Sequence, residues 1–481
     1  LLSSDFFRTM LTVHLRVNDA ATGRPTPVRL RVSGPDGTNY APLGRFTDFP
    51  AGVNEDVGGG LRLGREAWFT IDGGCEILLP AGVPLRVQAT KGPEYHPLDA
   101  TVTLGAGQLA LRFAVERWHD RRADGWVSGD GRCHFLPPHA ALLDAAAEDV
   151  DVVNLLAAVQ PYPSIDGTAY RTVPHLAAFS GQGAALEATG RLGAVNTLNA
   201  HPALGTVALL HSHRPVFPLT FGGEDADDWG VCDWCDQCHR KGGLVVWAEA
   251  FQRHAGLVGG EALVAALLGK VDAIEVTGGT RSAVLPWVYR LWTSGFPIPL
   301  VGASGKDSNR VPLGAVRTYA KPDPTEPNRY KGWVEAVRAG GSFVSAGPLV
   351  GLSVEGGRAR VSARSLARTD ALELLADGDV IARAGVTRDG ATFVAELDVP
   401  VPSAGWLAAR CVPTGSAGFA HTSPVRLGPS DRSGDAATAL RPLVEATREW
   451  AEVAGRYENP RRKQALLDRC ADALARLAGR S

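Results

Sequence analysis

Between about Trp126 and Gly347, short runs of uninterrupted apolar residues alternate with stretches whose apolar residues fall at helical spacing. No other feature restricts the fold as much. DVVNLLAAV, TVALL, GGLVVWAE, DAIEV and IPLVGAS are too short for typical helices and lack the alternate polar positions of a half-solvated strand. Such runs read as strands covered on both faces. PHAALLDAAAEDV, DWCDQCHRKGG and GGEALVAALLGKV lie between them and read as helices. The alternation predicts a β/α unit around a parallel sheet, either a barrel or open.

The flanks have a different texture. Residues 1–118 carry short alternating runs such as LTVHLRV, VRLRVSG, PLRVQAT and LALRFAV between Gly, Pro and Asp turns, as in a β-sandwich-like domain. RWHDRRADG follows as a linker, and the β/α unit occupies 119–346. Strand alternation returns in LELLADGDVIARA, ATFVAELDVPV and GWLAARCVP, which predicts a second β domain over 347–428. Residues 429–481 hold two amphipathic helices joined near Pro460. One has Leu440, Leu443, Val444, Trp450 and Val453 on a stripe; the other has Leu466, Leu467, Cys470, Leu474 and Leu477. A helical hairpin docked on the body is the expected arrangement, with a dimerisation element as the alternative; no feature fixes the oligomeric state.

Composition removes several classes of partner. With 49 basic and 51 acidic residues the net charge is −2, and no basic run is interleaved with aromatics, so no nucleic-acid partner is expected. No stretch approaches the ~18 apolar residues of a membrane helix, so no membrane partner is expected either. Seven scattered cysteines do not make a disulfide framework. The chain begins at Leu1 with neither a methionine nor a charged-then-apolar leader, and its compartment stays open.

In such architectures functional side chains gather at the carboxyl ends of the strands. The first strand offers Asp130, Arg132 and His134 there. The stretch TLNAHPALGTVALLHSHRP adds His201, His211 and His213, GGLVVWAE adds Glu249, and VGASGKDSNR adds Ser304, Lys306, Asp307 and Asn309.

The order GWVSGD-x-x-x-H, AEDVDVVNLL, GGLVVWA, LVGASGKDSN, LGAVRTYA and AGGSFVSAGPL resembles the PHP (polymerase and histidinol phosphatase) metallohydrolases, and within them the carbaryl-hydrolase-like CehA/McbA group. The resemblance spans about residues 115–350 and, through the flanking β domains, most of the chain. It implies a distorted (β/α)7 barrel between two β domains, a divalent zinc, manganese or iron ion, and hydrolysis of an ester, carbamate or phosphoester of a small-molecule substrate. The ligand positions depart from the family. A GDxHxH opening stands here as Gly129-Asp130-Gly131-Arg132-Cys133-His134; a Gly-His pair as Gly205-Thr206; an Ala-His-Pro as Ala248-Glu249-Ala250; a Ser-Asp as Ser304-Gly305, with Asp307 two residues on.

Carboxylates substitute for imidazoles at a metal, so Glu249 and Asp307 are acceptable ligands. Arg132 is not, because its guanidinium is always protonated and only donates. Three readings follow. One is a single-ion hydrolase site drawn from Asp130, His134, His201, Glu249 and Asp307, with His211 as a further helper. The second is a metal-free charge network on a scaffold that binds a small molecule or carbohydrate without catalysis. The third uses Arg132, Lys306 and Arg310 to receive an anion, with Glu249 and Asp307 as acid and base.

Three other motifs carry less. In CDWCDQCH, Cys235-x-x-Cys238-His239 matches haem attachment, but the stretch reads as a helix with cysteines turned inward. Cys232 and His239 would stand about 10 Å apart along that helix, too far to share an ion. His211-Ser212-His213 places two rings on one side only if extended, and Arg214-Pro215 signals a loop. GASGKD satisfies neither a nucleophile elbow nor a P-loop.

Overall fold

The computed structural model describes residues 9–48, 59–163, 169–172, 176–222, 225–414 and 418–479. It is a mixed α/β chain with several sheets and a C-terminal helix pair. In the N-terminal part a three-stranded sheet (Gly74–Pro80, Met10–Asp19, Ala110–Val115) and a six-stranded sheet share one core. Val13, Leu15 and Val17 face Val28, Leu30, Leu85 and Val87, because period-2 alternation puts one side of each strand inward.

The central sheet runs through the strands Leu300–Gly302, Ala273–Val276, Leu244–Ala248, Gly205–Leu210, Arg191–His201, Val152–Ala157, Val127–Cys133, Arg317–Ala320 and Ser342–Ser345. A helix intervenes in three of its four parallel pairs, whereas Val152–Ala157 and Arg191–His201 pair parallel with no α-helix between them among the described residues. Helix α1 (Pro138–Glu148) joins the first two parallel strands, and α3 (Gly260–Leu267) and α4 (Arg281–Thr293) join the last. Helix α2 (Val231–Arg240) instead precedes Leu244–Ala248, which pairs antiparallel with Gly205–Leu210.

The sheet is therefore mixed, not parallel throughout. Gly205–Leu210 is antiparallel to both neighbours, and on the Arg191–His201 side the turn Pro202-Ala203-Leu204 is too short for a crossover helix. Arg317–Ala320 is likewise antiparallel to the first strand. Among the described residues the ladder does not close into a barrel. Its edge strand Leu300–Gly302 instead meets its neighbours through hydroxyls. Thr318 Oγ1 accepts from Gly302 N at 2.7 Å and donates to Gly302 O at 3.1 Å. Ser423 Oγ accepts from Leu300 N at 3.0 Å, and Ser342 Oγ donates to Leu300 O at 3.4 Å. Glycine permits this approach: a Cβ on Gly302 would lie 2.6 Å from Arg317 O.

The same ladder continues past residue 346, from Ser342–Ser345 into Ala420–Thr422, Trp406–Pro413, Thr369–Ala376 and Asp379–Gly385. A four-stranded sheet containing Leu349–Glu355, Arg358–Ser365 and Thr392–Pro400 packs on that extension over a common core. After α5 (Arg329–Arg338), the chain ends in α6 (Ser433–Val453) and α7 (Pro460–Ala478). Asn459 caps α7 by accepting from Arg461 N, with Pro460 in the first helical position. Leu440 and Val444 of α6 and Leu466, Cys470 and Leu477 of α7 join the core around α3 and α4. Val453, expected on that stripe, is 81% exposed at the last position of α6. Arg469 fixes the pair to the body through Glu261 and Asp233. No helix among the described residues is long and apolar enough to cross a membrane.

Candidate functional site

Four strands bring their polar residues to one end of the central sheet. Arg132 lies near the end of Val127–Cys133, Glu275 near the end of Ala273–Val276, and Glu249 directly after Leu244–Ala248. Thr206 joins them because its strand runs the other way, opposite Ala248 in register.

The guanidinium of Arg132 makes a bidentate pair with Glu275, Nε to Oε2 at 2.8 Å and Nη2 to Oε1 at 2.9 Å. Its Nη1 lies 3.6 Å from Glu249 Oε1. Burial works against that charge, but Glu275 and Glu249 hold the guanidinium protonated, above its ordinary range. Glu275 is 2% exposed and Glu249 31%, so one partner is sealed and the other faces the opening. Glu249 sits in left-handed backbone, φ 52°, where an L side chain is uncommon. Its Oε2 accepts from Thr206 Oγ1 at 3.4 Å and lies 4.0 Å from His254 Nε2. That His254 nitrogen is buried and makes no hydrogen bond among the described residues.

The other expected ligands are engaged elsewhere. Asp130 is fully buried, with both oxygens spent on backbone: Oδ1 accepts from Ser304 N and Arg132 N, and Oδ2 from Gly314 N. It ties the 304–314 loop to the first strand. His134 turns Nδ1 to Leu156 O at 3.1 Å, and its backbone N–H donates to Lys306 O. His201 belongs to another neighbourhood. Its Nδ1 accepts from Ala203 N and Leu204 N, which puts the ring proton on Nε2, 3.1 Å from Asp227 Oδ1. Burial pushes the Asp227 carboxyl upward, but the His201 contact and the Arg456 N–H together hold it below its usual range. Trp450 of α6 meets the His201 ring edge-on.

The 304–310 loop divides. Lys306 is buried, donating to Ser308 O and Val311 O. It is thus directed into the loop rather than offered to an anion. Asp307 is half-buried and Arg310 exposed. His211 packs edge-on against Tyr330, and burial pushes its pKa down; His213 is exposed and bonds Lys241 O. Cys232, Cys235 and Cys238 all pack into the core, where burial raises their thiols.

The structure thus brings Arg132 and Glu249 together and leaves Asp130, His134 and His201 on separate partners. Among the described residues no group of three or more His, Cys, Asp or Glu side chains is placed to hold a metal ion. The five-residue ligand set does not fit an ion: Asp130 is buried with three backbone N–H groups on its oxygens, and the Arg132 cation stands against Glu249. Glu275 and His254 complete the cluster. Glu275 had one sequence signal, a charge inside the apolar run DAIEV; His254 had none. No family model and no curated protein matches the chain.

Proposed function

We propose that the chain is a CehA/McbA-like PHP scaffold, a distorted (β/α)7 barrel in origin, in which an internal guanidinium has replaced the metal centre. Its activity on this reading is binding of a small molecule or carbohydrate, not metal-dependent hydrolysis. The observation that carries it is the bidentate Arg132–Glu275 pair at the strand ends, with Glu249 on its open side. A fixed cation there repels a divalent ion and occupies the carboxylates that would hold it. What remains open at the rim is the outer face of Glu249 beside the half-buried His254, a pair suited to a hydroxyl or amide of a ligand.

The hydrolase reading keeps one observation on its side. Glu249 and His254 are two groups able to ligate or move a proton, and they share that rim. Element analysis of the purified chain after incubation with zinc, manganese or iron separates the two. The expected result is well below one ion per chain. Stoichiometric metal that disappears in His134→Ala would overturn the binding reading and restore a metallohydrolase acting on an ester, carbamate or phosphoester.

A further inference from the structure

The N-terminal sheets meet the central unit across a cavity of about 520 Å³. Pro25 and Pro27 close it from one side; Leu142, Leu143 and Ala146 of α1 and the nearby Leu186 close it from the other. Two cations, Lys91 and Arg191, reach it beside Tyr95, His139 and two threonines, and the one acid in its lining, Asp72, is exposed. A cavity of this size between structural units, with an apolar wall facing convergent polar groups, is a common form of small-molecule site.

Lys91 is the unusual member. It is 3% exposed, yet its ammonium has only neutral partners, Pro27 O at 2.8 Å and Ala146 O at 2.7 Å. Beyond these carbonyls it has the face of the Tyr95 ring, 5.6 Å to the centroid. Burial pushes the amine down to about 8; Asp149 draws it back up, while Arg191 and Arg117 lower it further. Asp149 cannot serve as its counter-ion, because Arg117, Arg122 and Arg191 already share both of its oxygens. The bond to Ala146 O does help terminate α1. A helix cap alone, however, needs neither an adjoining cavity nor a buried charge without a carboxylate.

We propose that this cavity binds a small organic carboxylate with an apolar body, its carboxylate on Lys91 Nζ and its body against Leu142, Leu143 and Pro27. Arg191 adds long-range attraction from the wall. The site is separate from the Arg132 cluster and stands independently of how that cluster is read.

Benzoate is the probe, with benzamide as its uncharged counterpart, each titrated calorimetrically at up to about 10 mM into the full chain. Benzoate is expected to bind and benzamide to bind at least about tenfold more weakly. Lys91→Met is expected to lose benzoate binding. Because that change also removes a helix cap, Leu143→Trp supplies the second arm: it fills the cavity, leaves Lys91 in place, and is expected to abolish binding without altering the far-UV spectrum. Absence of benzoate binding to the parent chain, equal binding of benzamide, or benzoate binding that survives both substitutions would each overturn the proposal.

Discussion

Two of the buried arginine–carboxylate clusters among the described residues are built in different ways. At the strand ends one guanidinium, Arg132, is shared by Glu275 and Glu249. Near the junction with the N-terminal sheets one carboxylate, Asp149, collects Arg117, Arg122 and Arg191 at 2.8–3.0 Å and is itself 1% exposed. Surplus negative charge at an opening leaves an acceptor facing outward, as Glu249 does. Three guanidinium groups converging on a sealed carboxylate, two of them also paired with Glu94 and Asp151, fasten three segments together. The first arrangement suits a site and the second a joint.

That contrast is broken most severely at the joint. Asp149→Ala leaves three largely buried guanidinium groups without their common acceptor, and the expected loss is about 3–5 kcal/mol in urea-unfolding free energy. A loss under about 1 kcal/mol, the scale of an exposed pair, would erase the distinction. Arg132→Met comes next, at roughly 3 kcal/mol, since Glu275 remains buried without a partner. Replacing both as Arg132→Met/Glu275→Leu is expected to recover most of that loss, because a buried pair exchanged for apolar side chains is often neutral.

Acid separates the clusters further. Burial raises the Asp149 carboxyl, but Arg122 and Arg117 outweigh it and hold it below the usual 3.8. Its folded value is depressed, so its contribution is complete above about pH 4 and fades as pH falls toward the folded value. Unfolding curves between about pH 4 and 2 should therefore steepen the loss of stability in the parent chain and flatten in Asp149→Asn. The smallest effect belongs to Glu249→Gln. At 31% exposure and 3.6 Å from Arg132, it is expected to change stability by no more than about 1 kcal/mol. A larger change would mean that the rim, too, is a joint.

Legibility in the sequence followed the same division. Apolar runs located the strands at Val152–Ala157, Gly205–Leu210, Leu244–Ala248, Ala273–Val276 and Leu300–Gly302, because burial on both faces leaves a local mark. Direction was less visible: a three-residue turn, not periodicity, makes Gly205–Leu210 antiparallel. Helix α4 was obscured by Pro286 within it. Arg132 stood out at a position where the resemblance implies an imidazole, but its partner Glu275 lies 143 residues away and no spacing links them. RWHDRRADG reads as a linker from its polarity alone. Arg117 and Arg122 in fact anchor it to Asp149, Glu94 and Asp151, pairings that carry no period.

The hydroxyl seam along Leu300–Gly302 sets a timetable for synthesis. One side of that strand pairs with Ala273–Val276, made earlier, but its other side waits for Thr318, Ser342 and finally Ser423, 123 residues beyond Leu300. Until the second β region leaves the ribosome, the central sheet carries an unfinished margin, the kind of edge to which another chain can add. Three hydroxyls complete it only when nearly the whole chain has been made.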